Sequence, residues 1–226
     1  MSGIKDPNDL GLKVAYGYSE PSDLQRFYDD GANGYDKYLS DTGYSLHQHL
    51  AKEVFKDLKN PRSLILDIGC GTGIIAEHFG SIEPRLIFEG VDLSIKMIEI
   101  AGSKRRDPEA KDKPDQPFYR AMTQANLKDN SGIFAPCRYD ILVSAGTFTT
   151  GHISIQELIN MIYCLKHKGK VFVTVKKDLY HDHSFDERLQ EIAKDEWITP
   201  HSAKEVNIYE NDIYNDQAYI VSFSRL

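Results

Sequence analysis

Hydrophobic residues change their spacing near residue 60, and the change separates two kinds of secondary structure. Before residue 60, apolar side chains recur every three or four positions, which predicts helices over about Pro21–Leu39 and Tyr44–Leu58. After it, short continuous apolar runs such as Ser63–Ile68 alternate with helical patterns. Continuous apolar runs are typical of strands that are buried on both faces of a parallel sheet.

This alternation predicts an α/β fold with a doubly wound, mostly parallel, seven-stranded sheet. The predicted strands are Ser63–Ile68, Arg85–Val91, Phe118–Ala125, Tyr139–Ser144, Lys170–Val175, Val206–Tyr209 and Ala218–Phe223. The helices predicted between them cover about Gly73–Phe79, Ser94–Ala101, Ile153–Leu165 and Ser184–Trp197. A turn at Tyr214–Asp216 joins the last two strands as a hairpin, so one C-terminal strand runs antiparallel.

Composition and charge narrow the range of partners. The chain has 41% hydrophobic residues and a formal net charge of -7, an acidic surface that attracts neither nucleic acid nor anionic lipid. The one basic run, Lys104–Arg106, is followed by acidic residues and is expected to be a solvated loop. No apolar stretch reaches membrane-spanning length. We therefore expect no membrane partner and no nucleic-acid partner.

The cysteine pattern indicates a reducing compartment. Cys70, Cys137 and Cys164 are scattered and form no C-x-x-C pair, which argues against a disulfide framework and a structural zinc site. His181 and His183 lie close together, but further ligands are lacking, so we predict no metal. The N-terminus has no apolar signal segment, and the expected location is the cytoplasm, with the nucleus as a second option.

The strongest chemical signal is a glycine-rich turn after the first predicted strand. Asp67 ends the strand, and Gly69, Gly71 and Gly73 follow at alternate positions before a helix. Glycines at such a turn let the backbone approach a ligand where a Cβ atom would collide. Open α/β sheets bind ligands at this edge.

Two ligands compete for this turn. Gly71–Ala76 matches the G-x-G-x-x-A fingerprint of dinucleotide binding, and Asp92 lies at about the expected distance beyond it. A diphosphate, however, is disfavoured by a neighbouring carboxylate such as Asp67. S-adenosylmethionine has no phosphate and carries an ammonium and a sulfonium, so the acidic residue favours it. A glycine turn without any ligand is the third alternative.

The end of the second strand offers an acceptor for ribose hydroxyls. Asp92 can accept hydrogen bonds from both hydroxyls, or it can only help Ser94 to cap the next helix. Met97, one turn further, can pack on adenine or belong to the core.

At this point the chain resembles class I S-adenosylmethionine-dependent methyltransferases. The resemblance rests on LDIGCGTG, GVDLS, YDILVSAGTF and LKHKGKVFVTVK, and the order of these motifs covers about residues 20–226. A narrower resemblance, to the methyltransferase-like proteins of the Williams-Beuren region group, rests on FYDDGANGYDKYL and GTFTTGHI.

The resemblance implies a set of cofactor contacts. Around the methionyl part it places Asp67, Gly69, Gly71, Thr72 and Gly73, and at the ribose Asp92 with Leu93. Ser144 and Gly146 would form the floor beside the sulfonium. The family's Asp-Leu pair at the adenine is here Asn126-Leu127, and Met122-Thr123 is an alternative register; an asparagine can still accept through its carbonyl oxygen.

Residues 1–19 are polar and Gly-rich and predict a flexible tail, and the resemblance divides the rest into an N-terminal helical lid or cap (20–60) and an S-adenosylmethionine-binding domain (61–226). Tyr28 and Tyr35 are seven residues apart and share a helix face, where aromatic rings favour a nearby cation. Both can equally be core anchors. His152 follows the fourth strand and is the candidate base or acceptor-binding residue, although it can also be a capping or exposed histidine.

The predicted function is methyl transfer to a small molecule or a protein side chain. The strand end Ser144–Thr147 lacks the Asn/Asp-Pro-Pro-Tyr box that grips planar nitrogens. A nicotinamide-dependent oxidoreductase is less favoured, because no tyrosine is followed by a lysine four residues on. A non-catalytic S-adenosylmethionine-binding scaffold is the other alternative. The sequence predicts neither the acceptor nor the oligomeric state.

Overall fold

A computed structural model describes residues 15, 17–18, 20–109, 115–130, 132–182, 185–210 and 216–226. The predicted tail lies almost wholly outside these ranges, as do His183 and most of the turn predicted at Tyr214–Asp216. In the part of the chain that is described, no helix is both long and apolar enough to cross a membrane.

The secondary structure follows the predicted order. The strands are β1 (Leu64–Ile68), β2 (Ile87–Asp92), β3 (Tyr119–Gln124), β4 (Tyr139–Phe148), β5 (Leu165–Lys176), β6 (Ser202–Asn207) and β7 (Gln217–Ser224). The helices are α1 (Pro21–Thr42), α2 (Leu46–Asp57), α3 (Ile74–Ile82), α4 (Ile95–Ser103), α5 (Leu127–Asn130), α6 (Ile155–Met161), α7 (Lys177–Asp182) and α8 (Phe185–Lys194), with a 3₁₀ turn at Ile162–Cys164.

The strands form one sheet in the order β3-β2-β1-β4-β5-β7-β6. Only β7 runs antiparallel to its neighbours within this sheet, which confirms the predicted seven-stranded, mostly parallel architecture. The chain moves outward from β1 to β3 and then returns to place β4 beside β1. In such sheets the crevice between the carboxyl ends of these two strands is where ligands bind.

Period-two alternation along the strands gives the sheet two apolar faces. Leu66 and Leu142 face the cluster that includes residues of α6, α7 and α8. Ile65 and Ile141 face the cluster that includes residues of α2, α3 and α4. Because α2 packs into the core of the sheet, α1 is the helix of the predicted 20–60 cap that is left to cover the crevice.

The region between α6 and β5 differs from the prediction. The helix predicted over Ile153–Leu165 ends at Met161, and the strand predicted to begin at Lys170 begins at Leu165. Arg225, the penultimate residue of the sequence, explains the longer strand, because its carbonyl accepts from the Lys168 amide at 3.0 Å and its amide donates to the Gly169 carbonyl at 2.9 Å. Arg225 is distant from β5 in the sequence, so no local sequence pattern predicts this pairing.

The basic run Lys104–Arg106 is not the solvated loop that its charge predicted. Arg106 is 4% exposed, donates to the Gly80 carbonyl at 3.2 Å and lies over the ring of Phe118. Lys104 pairs with Asp36 and with Glu77, both at 2.7 Å. These cations make internal contacts, which leaves less of a basic patch than the sequence suggested.

A buried carboxylate ties three strands together at the sheet. Glu89 of β2 accepts from Arg120 of β3, from Arg138 at 2.6 Å and from Tyr139 of β4 at 2.7 Å. Burial acts to raise the pKa of Glu89, but the hydrogen bonds from Arg138, Arg120 and Tyr139 outweigh it and lower the pKa to about 2. The ionised form is therefore the one that stabilises the fold.

We expect Glu89→Gln to lower the free energy of unfolding by about 1–3 kcal/mol at pH 7, measured by urea titration. The folded pKa lies below the ordinary value of 4.5, so this stabilisation is present above that value and is lost as the pH falls toward 2. The difference between variant and wild type should shrink in that interval. Glu99→Gln, which breaks an exposed pair with Lys96, serves as the control and should change stability by less than about 0.5 kcal/mol. Equal losses in both variants would contradict the assignment.

Candidate active site

A cavity lies at the switch point of the sheet, between the carboxyl ends of β1 and β4 and the inner face of α1. The space between these elements is about 780 Å³ with its open mouth included. Eleven of the predicted site residues line it: Tyr28, Tyr35, Gly69, Gly71, Asp92, Leu93, Met97, Asn126, Leu127, Gly146 and His152. The structure therefore brings most of the predicted site together.

The glycine turn has left-handed backbone geometry. Gly69, Gly71 and Gly73 have φ angles of 65°, 52° and 88°, which favour glycine. A Cβ atom on Gly69 would lie 2.2 Å from the Thr147 hydroxyl oxygen, whereas one on Gly71 would meet no atom within 4 Å. The close contact that requires glycine at position 69 is therefore with Thr147 of β4. The open space beside the turn lies at Gly71.

Four predicted residues lie behind the cavity lining and support it. Ser144 Oγ donates to the Ile68 carbonyl at 2.7 Å, and the buried Thr72 hydroxyl donates to Asp36. Gly73 begins α3 at its N-cap position. Asp67 is 0% exposed, and its Oδ2 accepts from the Tyr119 hydroxyl at 2.6 Å.

The surroundings of Asp67 disfavour the ionised form of its carboxyl group. Its Oδ1 is buried and has no hydrogen-bond partner within the described residues. Burial raises the pKa of Asp67 to about 7; the Tyr119 hydrogen bond opposes the rise, and the charge of Asp92 adds to it. The group is therefore ready to lose its proton when a cation approaches.

Asp92 supports the start of α4 and also lines the cavity. Its Oδ2 accepts from the Gly71 amide and its Oδ1 from the Ser94 amide, both at 2.8 Å. Ser94 Oγ in turn accepts from the Met97 amide at 3.1 Å, which confirms the predicted N-cap of α4. Asp92 also lines the cavity, so the same carboxylate fixes the glycine turn and faces the ligand space.

Asn126 marks the far end of the cavity, after β3. Its carbonyl oxygen accepts from the Lys128 amide at 3.1 Å, and its NH₂ group donates to Asp129 at 2.7 Å. Asn126 and Leu127 line the cavity, and Met122 and Thr123 do not. Of the two registers, the one with Asn126-Leu127 lies at the cavity, and a contact with adenine stays a prediction.

Tyr28 and His152 form a hydrogen-bonded pair on the cavity wall. The Tyr28 hydroxyl and His152 Nε2 are 2.7 Å apart, and His152 Nδ1 is 3.2 Å from the Thr150 carbonyl. Because a carbonyl only accepts, the neutral ring carries its proton on Nδ1 and accepts from Tyr28 at Nε2. Burial lowers the pKa of His152 to about 4; the Thr150 contact opposes this shift and Lys128 adds to it. No sequence signal predicts this pair, since its members are 124 residues apart.

Two aspartates of α1 make contacts that the sequence analysis missed. Asp29 accepts from Ser94 Oγ at 2.5 Å and from the Lys96 amide at 3.2 Å, at the beginning of α4. Asp36 accepts from Thr72 beside the beginning of α3 and pairs with Lys104. Carboxylates are favoured at helix N-termini. The signal was present in the repeated Tyr-Asp pair of FYDDGANGYDKYL, whose members are seven residues apart and share one helix face.

The fold and this site define the class as predicted, the class I S-adenosylmethionine-dependent methyltransferases. The sequence profile of a family described as "Methyltransferase domain" matches residues 38–207, about three quarters of the chain. The chain belongs to this family. The match confirms the predicted class and its cofactor, S-adenosylmethionine, while the narrower Williams-Beuren resemblance stays a prediction.

Individual proteins that are similar to this chain, at low sequence identity, are also methyltransferases. A malonyl-[acyl-carrier protein] O-methyltransferase of Priestia megaterium is 33% identical over 142 residues, which are 62% of this chain and 47% of that protein. The chain thus spans about half of that relative's length. The structure is similar to a magnesium protoporphyrin IX methyltransferase of Synechocystis (TM-score 0.61, 14% identity, 91% of this chain and 97% of that one). It is also similar to a phosphoethanolamine N-methyltransferase of Haemonchus contortus (TM-score 0.62, 15% identity, 92% and 59%). These structural likenesses concern the fold.

We expect Asp67→Asn to alter the pH dependence of stability. In the folded protein the pKa of Asp67 is about 7, above its ordinary value of 3.8, so stability falls as the pH rises through this interval. The variant lacks this titration. The free energy of unfolding of the variant relative to wild type should therefore rise by about 2–3 kcal/mol between pH 5 and pH 8. Urea titrations at the two pH values measure this change. The exposed Asp57→Asn should show no such rise, and a flat difference for Asp67→Asn would refute the raised pKa.

Proposed function

We propose that this chain transfers the methyl group of S-adenosylmethionine to a small-molecule acceptor, with the cofactor bound in the cavity at the switch point. The observation that carries the proposal is the hydrogen bond from the Gly71 amide to Asp92. A diphosphate needs the amides of this turn, and here one of them is already held by a carboxylate. A cationic nucleoside without phosphates fits this arrangement.

The residues present suit each part of the cofactor. Asp92 has further lone pairs for the ribose hydroxyls after binding two amides, and Met97 and Leu93 offer an apolar slot for adenine. Asn126 stands at the adenine end. The orphaned oxygen of Asp67 supplies negative charge behind the glycine turn, toward the ammonium and sulfonium. When bound, the cofactor supplies an electrophilic methyl group.

The Tyr28–His152 pair is suited to take a proton from the acceptor. His152 is neutral at pH 7, and its Nε2 lone pair faces the Tyr28 hydroxyl at 2.7 Å. A proton released by an acceptor O–H or N–H group can pass to Tyr28 while Tyr28 gives its own to His152. An acceptor that is already an anion would not need this step.

Helix α1 acts as the lid over this cavity in our proposal. Its tyrosines Tyr28 and Tyr35 form part of the cavity wall, 6.3 Å apart between ring centroids. Its aspartates Asp29 and Asp36 hold it against the beginnings of α4 and α3. These four residues lie close together on α1: the tyrosines cover the cavity, and the aspartates hold the helix in place over it.

We expect Asp92→Asn to weaken S-adenosylhomocysteine binding at least tenfold, because an asparagine oxygen cannot replace both carboxylate oxygens. Isothermal titration calorimetry of the folded variant, well below its own melting temperature, measures this loss. Wild-type protein should bind S-adenosylhomocysteine and give no heat with NAD. Asp57→Asn on α2 should bind as wild type does. Tight NAD binding would support the oxidoreductase alternative, and unchanged affinity in Asp92→Asn would refute the role of Asp92.

We expect His152→Ala to lower methyl transfer by about 10²-fold or more while S-adenosylhomocysteine affinity changes less than about threefold. Transfer is followed as label passing from methyl-labelled cofactor to the small-molecule fraction of a lysate. With His152 as base, wild-type transfer should be constant above about pH 5.5 and fall as the pH drops toward 4, where Nε2 gains a proton. Tyr28→Phe should show a similar loss. Full transfer by His152→Ala would remove the pair from the reaction, and failure of wild-type protein to label anything would favour the scaffold alternative.

A further inference from the structure

A second, smaller cavity adjoins the first along helix α1. The space is about 530 Å³ with its opening included, and it is bounded by α1, the start of α2 and the carboxyl ends of β4 and β5. Tyr28, Tyr35 and Gly146 line both cavities. A molecule in the second cavity would therefore be next to a cofactor bound in the first.

Gly146 lies where the two cavities meet. Its amide donates to Thr174 Oγ1 at 2.9 Å, and its φ angle of 82° favours glycine. A Cβ atom at this position would lie 2.8 Å from the Tyr44 hydroxyl oxygen. The missing side chain leaves room between the two spaces.

One buried hydroxyl on the wall of the second cavity has no partner. Thr149 is 6% exposed, and its Oγ1 makes no hydrogen bond in the part of the chain that is described. Thr174, also in the lining, already accepts from the Gly146 amide. A buried hydroxyl without a partner costs free energy unless a ligand supplies one. Thr149 therefore marks the place where a ligand in this cavity is expected to carry a polar group.

Much of the remaining wall is apolar or phenolic. Tyr44 and Tyr209 pack edge to face with their ring centroids 6.3 Å apart, and Phe148 and Leu39 add apolar surface. Aromatic side chains arranged in this way pack well against a further aromatic ring. The walls therefore favour an aromatic ligand.

The charges around the second cavity disfavour an ionised ligand. No aspartate or glutamate is among its described lining residues, so a protonated amine would find no counter-ion there. The lining does contain Lys176, but this side chain is already engaged: it pairs with Asp178 at 4.0 Å and makes a further interaction within the protein. Lys176 is therefore not available to hold an anion. Since an unpaired charge is costly to bury, an uncharged ligand fits this space best.

We infer that the second cavity binds the methyl acceptor, and that the acceptor is a small uncharged aromatic molecule with a hydroxyl group, a phenol. Thr149 belongs to the same turn as His152, whose amide donates to the Thr149 carbonyl at 3.1 Å. The unpartnered hydroxyl and the Tyr28–His152 pair therefore belong to one region of the wall, where the oxygen of a phenol would lie. This inference rests on the proposed function, since it needs the cofactor in the first cavity.

The reaction at this junction balances without another reagent. The phenol oxygen forms a bond to the methyl carbon as the carbon–sulfur bond breaks, and the electron pair of that bond stays on sulfur. The hydroxyl proton passes to Tyr28 while Tyr28 gives its own proton to His152 Nε2. The products are an aryl methyl ether and S-adenosylhomocysteine, and His152 then releases the proton to solvent.

Four probes of similar shape test the inference on the full chain saturated with S-adenosylhomocysteine at pH 7. The phenol is 4-methylphenol; 1,4-dimethylbenzene lacks the hydroxyl, and 4-methylbenzoate and 4-methylbenzylamine are charged. By ligand-observed NMR or calorimetry, we expect 4-methylphenol to bind and 1,4-dimethylbenzene to bind about three- to tenfold more weakly, the worth of one hydrogen bond. Both charged probes should bind at least tenfold more weakly than 4-methylphenol.

Thr149→Val removes the hydroxyl and keeps the shape of the side chain. It should weaken 4-methylphenol by about three- to tenfold and leave 1,4-dimethylbenzene unchanged. The melting temperature of the ligand-free variant should equal or exceed that of wild type, because a buried hydroxyl without a partner is removed; a merely structural role would lower it. Thr123→Val, at an exposed position of β3, is the matched control and should bind all four probes as wild type does.

Binding of S-adenosylhomocysteine is measured first in every variant and reports on the proposed function alone. With that binding intact, three results would each overturn the inference. These are no binding of 4-methylphenol, equally tight binding of any of the other three probes, and an unchanged affinity for 4-methylphenol in Thr149→Val.

Discussion

The carboxylate of Asp92 is the constraint on which the rest of the site depends. It joins the end of β2 to the glycine turn after β1 through the Gly71 amide, and to the start of α4 through the Ser94 amide. Its position follows from the sheet, because parallel pairing of β1 with β2 places Asp67 beside Gly90 and Ile68 beside Val91. The two strand ends are therefore fixed in height relative to each other. Without this bond, the Gly71 amide would be left for another acceptor, such as a phosphate oxygen.

The four acidic residues near the turn differ in their burial and in their hydrogen-bond partners. Asp92 is held by two amides, whereas Asp67 is fully buried with one oxygen unpartnered and a pKa raised to about 7 by burial. Asp29 and Asp36 lie further out, where they meet the beginnings of α4 and α3. The negative charge is concentrated at the helix N-termini and behind the turn, which offsets the positive ends of the helix dipoles and leaves the cavity favourable to a cation.

Sequence patterns predicted the sheet and most of the cavity because both depend on local signals. Short apolar runs that are buried on both faces define β1, β2 and β4, and the glycines after Asp67 place the turn at the switch point. The early start of β5 escaped prediction because its partner, Arg225, is the penultimate residue of the sequence. The burial of Arg106 depends on Phe118 and Gly80, contacts that a run of charges does not reveal. Likewise, Thr147 on β4 leaves no room for a side chain at position 69, and a contact between different strands is not visible in the local sequence.

Tyr28 and Tyr35 also line a smaller neighbouring cavity beside the ends of β4 and β5, and this sharing has a geometric consequence. Both rings belong to α1, so any displacement of this helix changes the volume and the walls of both spaces together. The two spaces cannot be opened independently by moving that helix. The position of α1 therefore sets the walls of both spaces at once, and a substitution that shifts this helix would alter the two together.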